Sequence, residues 1–268
     1  MKLKSPYLIK PDTRVRLSHL GTDDDGGYKT KEEAAPVLVK HRARLDALQD
    51  VFYASQQHAL LLVIQGMDTA GKDGTIRHIF SGINPQGCDV TSFKVPTTFE
   101  ARHDFLWRAH NAVPPRGMIG IFNRSHYEDV LSPRVHKAIT GKEARQRLDD
   151  INQFEGMLAD NGVLILKFFL HISQAEQTAR LRSRIDTPDK QWKLSAADFK
   201  ERKFWHEYQG AYDDLISATS HKHAPWFVIP SDHKWYRNVA ISQIIADALD
   251  SLKLSYPTPE LDPKTIKL

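Results

Sequence analysis

The chain has 268 residues, 41% hydrophobic and 26% charged, an ordinary globular balance with room for one large α/β domain. Its single cysteine, Cys88, excludes a disulfide framework or a cysteine-rich metal site, and no apolar run nears the ~20 residues of a membrane span. The formal charge of +4, from 37 basic and 33 acidic residues, favours an acidic partner without the excess of a nucleic-acid-coating protein.

The N-terminus has Lys2 and Lys4 but no apolar core behind them, so no secretory signal is expected. We therefore expect a cytoplasmic protein with neither membrane nor nucleic-acid partners. Residues 1–29 carry Pro11, Gly21, Gly26, Gly27 and three consecutive aspartates, and read as an irregular arm. Thr30-Lys31-Glu32-Glu33 fits a helix capping box, with Pro36 as a competing start, and Leu38, Leu45, Leu48 and Phe52 continue a helical stripe to about Gln57. Such an arm and helix can pack on the domain or on a second subunit.

Beyond Gln57, apolar runs at 59–65, 89–94, 117–122, 163–170 and 226–229 read as strands. Amphipathic stretches at 73–81, 98–111, 142–160, 174–184, 196–218 and 235–253 read as helices. The alternation, with runs such as 163–170 apolar on both faces, predicts an α/β fold: a parallel sheet covered by helices on each side, a three-layer αβα sandwich. One domain is expected over 30–255, with a C-terminal tail over 256–268.

The first strand candidate runs into Gly66-Met67-Asp68-Thr69-Ala70-Gly71-Lys72-Asp73-Gly74 and then into a helix. This is the Walker A spacing G-x-x-x-x-G-K in its proper strand–loop–helix context. The backbone N–H groups of Thr69, Ala70, Gly71, Lys72, Asp73 and Gly74 would hold a phosphate at the positive end of that helix, and Lys72 would add a charge for the outer phosphates. Asp73 stands where a magnesium-binding Ser or Thr is usual, and Asp68 lies inside the loop. A carboxylate in a phosphate cradle repels the ligand unless a cation lies between them, so Asp68 is the expected metal carboxylate.

The third strand candidate ends in Asn123-Arg124-Ser125-His126-Tyr127-Glu128-Asp129. Arg124 is placed to grip phosphate oxygens, and Asn123, Tyr127, Glu128 and Asp129 are assigned to nucleotide binding. Glu128 and Asp129 also fit the first turn of a helix. His126 is either a phosphohistidine nucleophile or a hydrogen-bonding residue. Residues 180–203 carry Arg180, Arg182, Arg184, Lys190, Lys193, Lys200, Arg202 and Lys203 around a break at Thr187-Pro188-Asp189. That pattern reads as a helical lid with Arg184, Lys190 and Lys193 on phosphates, or as a solvated face.

These three segments, with Arg184-Ile185-Asp186-Thr187-Pro188-Asp189-Lys190-Gln191-Trp192-Lys193 as the third, resemble the polyphosphate kinase 2 family, and the Asn-Arg-Ser-His-Tyr-Glu-Asp form resembles its class III branch. The resemblance implies a P-loop kinase fold related to thymidylate kinase, with a helical lid. It implies Mg²⁺ dependence, with Mn²⁺ as a substitute, and reversible transfer between inorganic polyphosphate and nucleoside mono- and diphosphates. It also implies direct in-line transfer, with Asp68, Lys72 and Arg124 as the catalytic residues, and a homodimer or homotetramer. The rival reading, an ATP-dependent nucleotide kinase of thymidylate-kinase type, predicts the conventional GK[ST] that Asp73 replaces.

Overall fold

Every residue of the run Ala59–Gly66 is buried, and in the computed structural model this run is the middle strand of a five-stranded parallel sheet. The structure describes residues 4–261 and 266. In chain order the elements begin with α1 (Lys31–Ser55), β1 (Ala59–Gly66), α2 (Lys72–Ile79), β2 (Cys88–Ser92), α3 (Trp107–Asn111) and β3 (Ile119–Asn123). Next come α4 (Glu128–Val135), α5 (Gly141–Asp160), β4 (Val163–His171), α6 (Gln174–Asp186) and α7 (Pro188–Gln191). The chain closes with α8 (Ala196–Glu201), α9 (Trp205–Thr219), β5 (Trp226–Pro230) and α10 (Lys234–Asp250).

The strand order is β2-β3-β1-β4-β5. The chain leaves β1 for the far edge at β2, returns to β3, then crosses β1 to reach β4. The carboxyl ends of β1 and β3 therefore flank a crevice from which connections depart in opposite directions, the place where open α/β sheets bind ligands. Helices α1, α2 and α10 pack as one group and α4, α5 and α9 as another.

Local chemistry explains the boundaries. Thr30 Oγ1 accepts the Glu33 amide at 3.4 Å, so α1 starts at the capping box and carries Pro36 within it. Thr140 and Glu143 cap α5 reciprocally. Three expectations change. The helix expected over 98–111 is a 3-10 turn at Glu100–Arg102 followed by the five-residue α3, because Asp104 Oδ1 accepts the Leu106 amide and starts the helix anew. The helix expected over 196–218 breaks at a 3-10 turn, Arg202–Phe204. The strand expected from residue 117 starts at Ile119, since Gly117 has a φ of 86° and donates to the His58 carbonyl at 2.7 Å.

The arm packs on its own domain. Ile9 N donates to Trp226 O at 2.9 Å and Val228 N to Tyr7 O at 3.0 Å, so this stretch covers the outer edge of β5 and all five β5 residues are buried. Of the tail expected over 256–268, residues 262–265, 267 and 268 lie outside the described residues.

Candidate active site

Gly66 ends β1 in a conformation that leaves no room for a side chain: its φ is 153° and a Cβ would stand 2.9 Å from the Leu170 carbonyl oxygen. Thr69 and Gly71 follow with φ of 66° and 101°. The carbonyls of the curled loop are met by side-chain donors. Lys72 Nζ donates to Gly66 O at 2.8 Å and Met67 O at 3.3 Å, and Gln177 Nε2 to Asp68 O at 3.1 Å. Arg180 Nη1 donates to Thr69 O and Ala70 O at 3.0 and 2.8 Å, and Arg237 Nη1 to Ala70 O at 2.9 Å. With the carbonyls so anchored, the N–H groups opening α2, which have no partner inside the helix, are left for an anion. Ala70 departs from the expectation: its N–H donates to Met67 O at 3.0 Å and the residue is fully buried, so its amide serves the loop and not a phosphate.

Asp68, Thr69, Gly71, Lys72, Asp73 and Gly74 line a cleft of about 1220 Å³, together with Asn123 and Arg124 from the end of β3. Arg124, at a φ of 60°, donates from its own amide to Ile64 O at 3.1 Å. Its Nη2 meets Asp68 Oδ1 at 2.8 Å and its Nη1 lies 3.8 Å from Glu128 Oε2. Asn123 Nδ2 donates to Asp73 Oδ1 at 2.7 Å, so the amide at the strand end matches the carboxylate in the loop. Burial raises the Glu128 pKa above the ordinary carboxylate value, against the pull of Arg124 and Lys72.

Burial, with Arg124 adding to it, lowers the Lys72 pKa to about 8. Below that pH the free lysine is charged; above it, binding a polyanion first requires proton uptake. Tripolyphosphate affinity should therefore be flat in mildly acidic buffer and weaken by up to about tenfold per pH unit above 8. Calorimetric titration of wild type and Lys72→Arg checks this, since a guanidinium in the same place holds its proton to higher pH than an ammonium. An inflection shared by both proteins would assign the effect to the ligand.

Of the residues assigned to nucleotide binding, Tyr127, Glu128 and Asp129 do not line the cleft, and Glu128 stays beside Arg124. Tyr127 is fully buried behind the sheet, its hydroxyl donating to Glu155 Oε1 at 2.8 Å and accepting from Lys167 Nζ at 2.9 Å. His126 is equally buried, 3.3 Å from the same carboxylate oxygen, which keeps it from a phosphoryl donor. Asp129 is paired with Arg108 at 2.8 Å and does not line the cleft. The His-Tyr pair roots the β3–α4 turn in a buried Lys167–Glu155 ion pair, leaving Arg124 on the cleft side.

From the lid, Arg184, Lys190, Trp192 and Lys193 reach the cleft wall, and Lys193 Nζ lies 5.0 Å from the Trp192 ring centre. Arg180, counted with the lid in the sequence, belongs to the loop's support. Sequence reasoning missed Gln177 and Arg237, and also Lys31, Lys94 and Lys234, which line the cleft from α1, the β2 end and α10. The rule that ligands gather at the carboxyl ends of parallel strands points to residues after β2 and β5. No grouping of three or more His, Cys, Asp or Glu side chains suited to a metal occurs among the described residues. A magnesium site completed by substrate phosphates and water needs only one or two carboxylates, and Asp68 and Asp73 fit that requirement.

A glycine loop between a central parallel strand and a helix, with a lysine, an arginine and a cationic lid around one cleft, defines a P-loop kinase. The polyphosphate kinase 2 family model matches residues 28–256, and the chain belongs to that family. It is 47% identical over 255 residues to an AMP/ADP-polyphosphate phosphotransferase of Meiothermus ruber, covering 95% of this chain and 96% of that protein. It is 46% identical to an ADP-polyphosphate phosphotransferase of Rhodopseudomonas palustris, covering 96% and 93% of the two chains. The crystal structure of polyphosphate kinase 2 from Arthrobacter aurescens superposes with a TM-score of 0.93 at 39% identity, over 98% of this chain and 96% of that one.

Proposed function

We propose that the protein moves a phosphoryl group reversibly between inorganic polyphosphate and nucleoside mono- and diphosphates, converting AMP to ADP and ADP to ATP. The observation that carries the reading is a single cleft of about 1220 Å³ holding the phosphate loop, Arg124 and the lid cations together. Clefts for one small ligand usually enclose about 300–1,000 Å³, so this one has room for donor and acceptor side by side.

The amides opening α2 hold one phosphate of the polymer, and Lys72, once drawn from the Gly66 and Met67 carbonyls, neutralises the next. Arg124 steadies the transferring group from the opposite wall, its angle set by Asp68. The lid cations grip the remaining phosphates and exclude water. Asp68, with Asp73 beside it, would hold Mg²⁺ or Mn²⁺, which would supply neutralisation of the crowded phosphate charge. Transfer is direct, because one closed site brings both substrates together and His126 is buried. Self-association as a dimer or tetramer belongs to the same reading and is measured by light scattering.

The test mixes protein, Mg²⁺, polyphosphate and ADP or AMP and measures ATP or ADP formed. Phosphorylation of a nucleoside monophosphate by ATP, with no reaction from polyphosphate, would favour the nucleotide kinase instead.

The lid assignment has its own expected result. No helix of the described residues is long and apolar enough to cross a membrane, and the lid residue Trp192 is 78% exposed. Replacing Arg184, Lys190 and Lys193 together with alanine should raise the polyphosphate KM at least about tenfold at low salt and flatten its salt dependence. An unchanged KM at both low and high salt would return these residues to a solvated face.

A further inference from the structure

Arg237, on the first turns of α10, is only 2% exposed. Its guanidinium lies against the phosphate loop: a Cβ on Gly71 would stand 2.3 Å from Nη1, and one on Gly74 3.9 Å from Nη2. The fork therefore occupies the space that a side chain at Gly71 would need and lies in van der Waals reach of Gly74. Its hydrogen bonds go to neutral oxygens, Ala70 O at 2.9 Å from Nη1 and Asn238 Oδ1 at 3.2 and 3.0 Å from Nε and Nη2. Its neighbour Arg180 differs, with Glu176 Oε1 at 2.7 Å from Nε. No carboxylate stands within salt-bridge distance of Arg237 among the described residues. Burial and Arg180 together pull its pKa down to about 9.

A buried charge without a counter-charge is costly, and proteins keep one where an ion completes it. The loop does not need a charge to hold Ala70 O, since Arg180 donates to the same carbonyl. We propose that Arg237 is a built-in counter-charge of the phosphate site: its missing anion is the polyphosphate phosphate seated on the α2 amides, on the other side of Gly71 and Gly74. This deepens the proposed function and rests on its reading of the cleft as a polyphosphate site. Charge, more than hydrogen bonding, is what the site takes from this residue. The empty protein carries the cost of burying it and recovers that cost when the polyanion binds.

The experiment measures tripolyphosphate binding by calorimetry, and the thermal stability of the protein with and without tripolyphosphate, for wild type, Arg237→Lys and Arg237→Gln, with no nucleotide present. Gln keeps a donor for Ala70 O and removes the charge; Lys keeps the charge with fewer donors. In Arg237→Gln we expect an apo melting temperature equal to or above wild type, affinity reduced at least about tenfold, and a flatter salt dependence. Arg237→Lys should stay within about threefold of wild-type affinity. Wild-type affinity in Arg237→Gln would overturn the proposal. So would a fall in apo stability and affinity together in both variants, which marks a purely structural arginine. If wild type itself shows neither binding nor a thermal shift, the polyphosphate reading of the cleft fails with it.

Discussion

Asp68→Asn should lower ADP phosphorylation by polyphosphate about 10²–10³-fold in kcat, the usual cost of removing one positioned electrostatic group. Two effects combine in this residue. Its Oδ1 accepts Arg124 Nη2 at 2.8 Å, which sets the angle of a guanidinium whose contact with Glu128 is longer, at 3.8 Å. The same carboxylate lies on the phosphate loop, where a divalent cation would sit between it and the substrate oxygens. Asparagine keeps the size and one acceptor oxygen and loses the charge. The Mg²⁺ concentration giving half-maximal rate should rise as kcat falls. Turnover within twofold of wild type at saturating Mg²⁺ would remove Asp68 from the site.

Lys72→Met should cost as much, about 10²–10³ in kcat/KM for polyphosphate, while leaving the fold no less stable. The lysine is 9% exposed and in the empty site donates to the carbonyls of Gly66 and Met67. Those carbonyls tether a charge whose burial disfavours it, as its lowered pKa records. Methionine has nearly the same shape, so the fold loses two hydrogen bonds and is relieved of a buried charge, contributions of opposite sign. The phosphate loses its nearest mobile cation outright. Steady-state kinetics beside a melting curve separates the two. A large drop in melting temperature with kcat/KM falling in proportion would make Lys72 a structural element of the loop.

The parts of the site carried by contiguous residues were legible in the sequence. The phosphate loop is one such part, because strand, glycines and lysine follow one another and only glycine fits at Gly66 and Gly71. Arg124 is another, since it directly follows a strand that pairs with β1, Ile64 opposite Asn123. The sheet was legible for the same reason: runs apolar on both faces have to be buried between helices.

Helix ends and side-chain direction were less so. Within Asn123–Asp129 the chain turns from β3 into α4, and the sequence does not say which side chains face the cleft and which the core. Arg124 faces the cleft, whereas Tyr127 enters the core to meet Glu155 and Lys167, distant in sequence and brought there by α5 and β4. Asp129 was drawn off by Arg108, which also donates to Lys94 O at 2.7 Å.

By itself, then, the sequence determined the parallel α/β sheet, the phosphate loop with its two carboxylates, the arginine after β3 and the basic lid, all local patterns of spacing and hydrophobic period. The tertiary structure alone decided what supports them. Gln177, Arg180 and Arg237 lie more than a hundred residues beyond the loop, yet turn its carbonyls away from the phosphate. The arm that reads as irregular is held by β5, because an open strand edge exposes unpaired backbone groups that residues 7–9 satisfy. The physical reason is common to both: backbone polar groups must find partners, and which distant residue provides them depends on how the chain crosses the sheet, which no local pattern encodes.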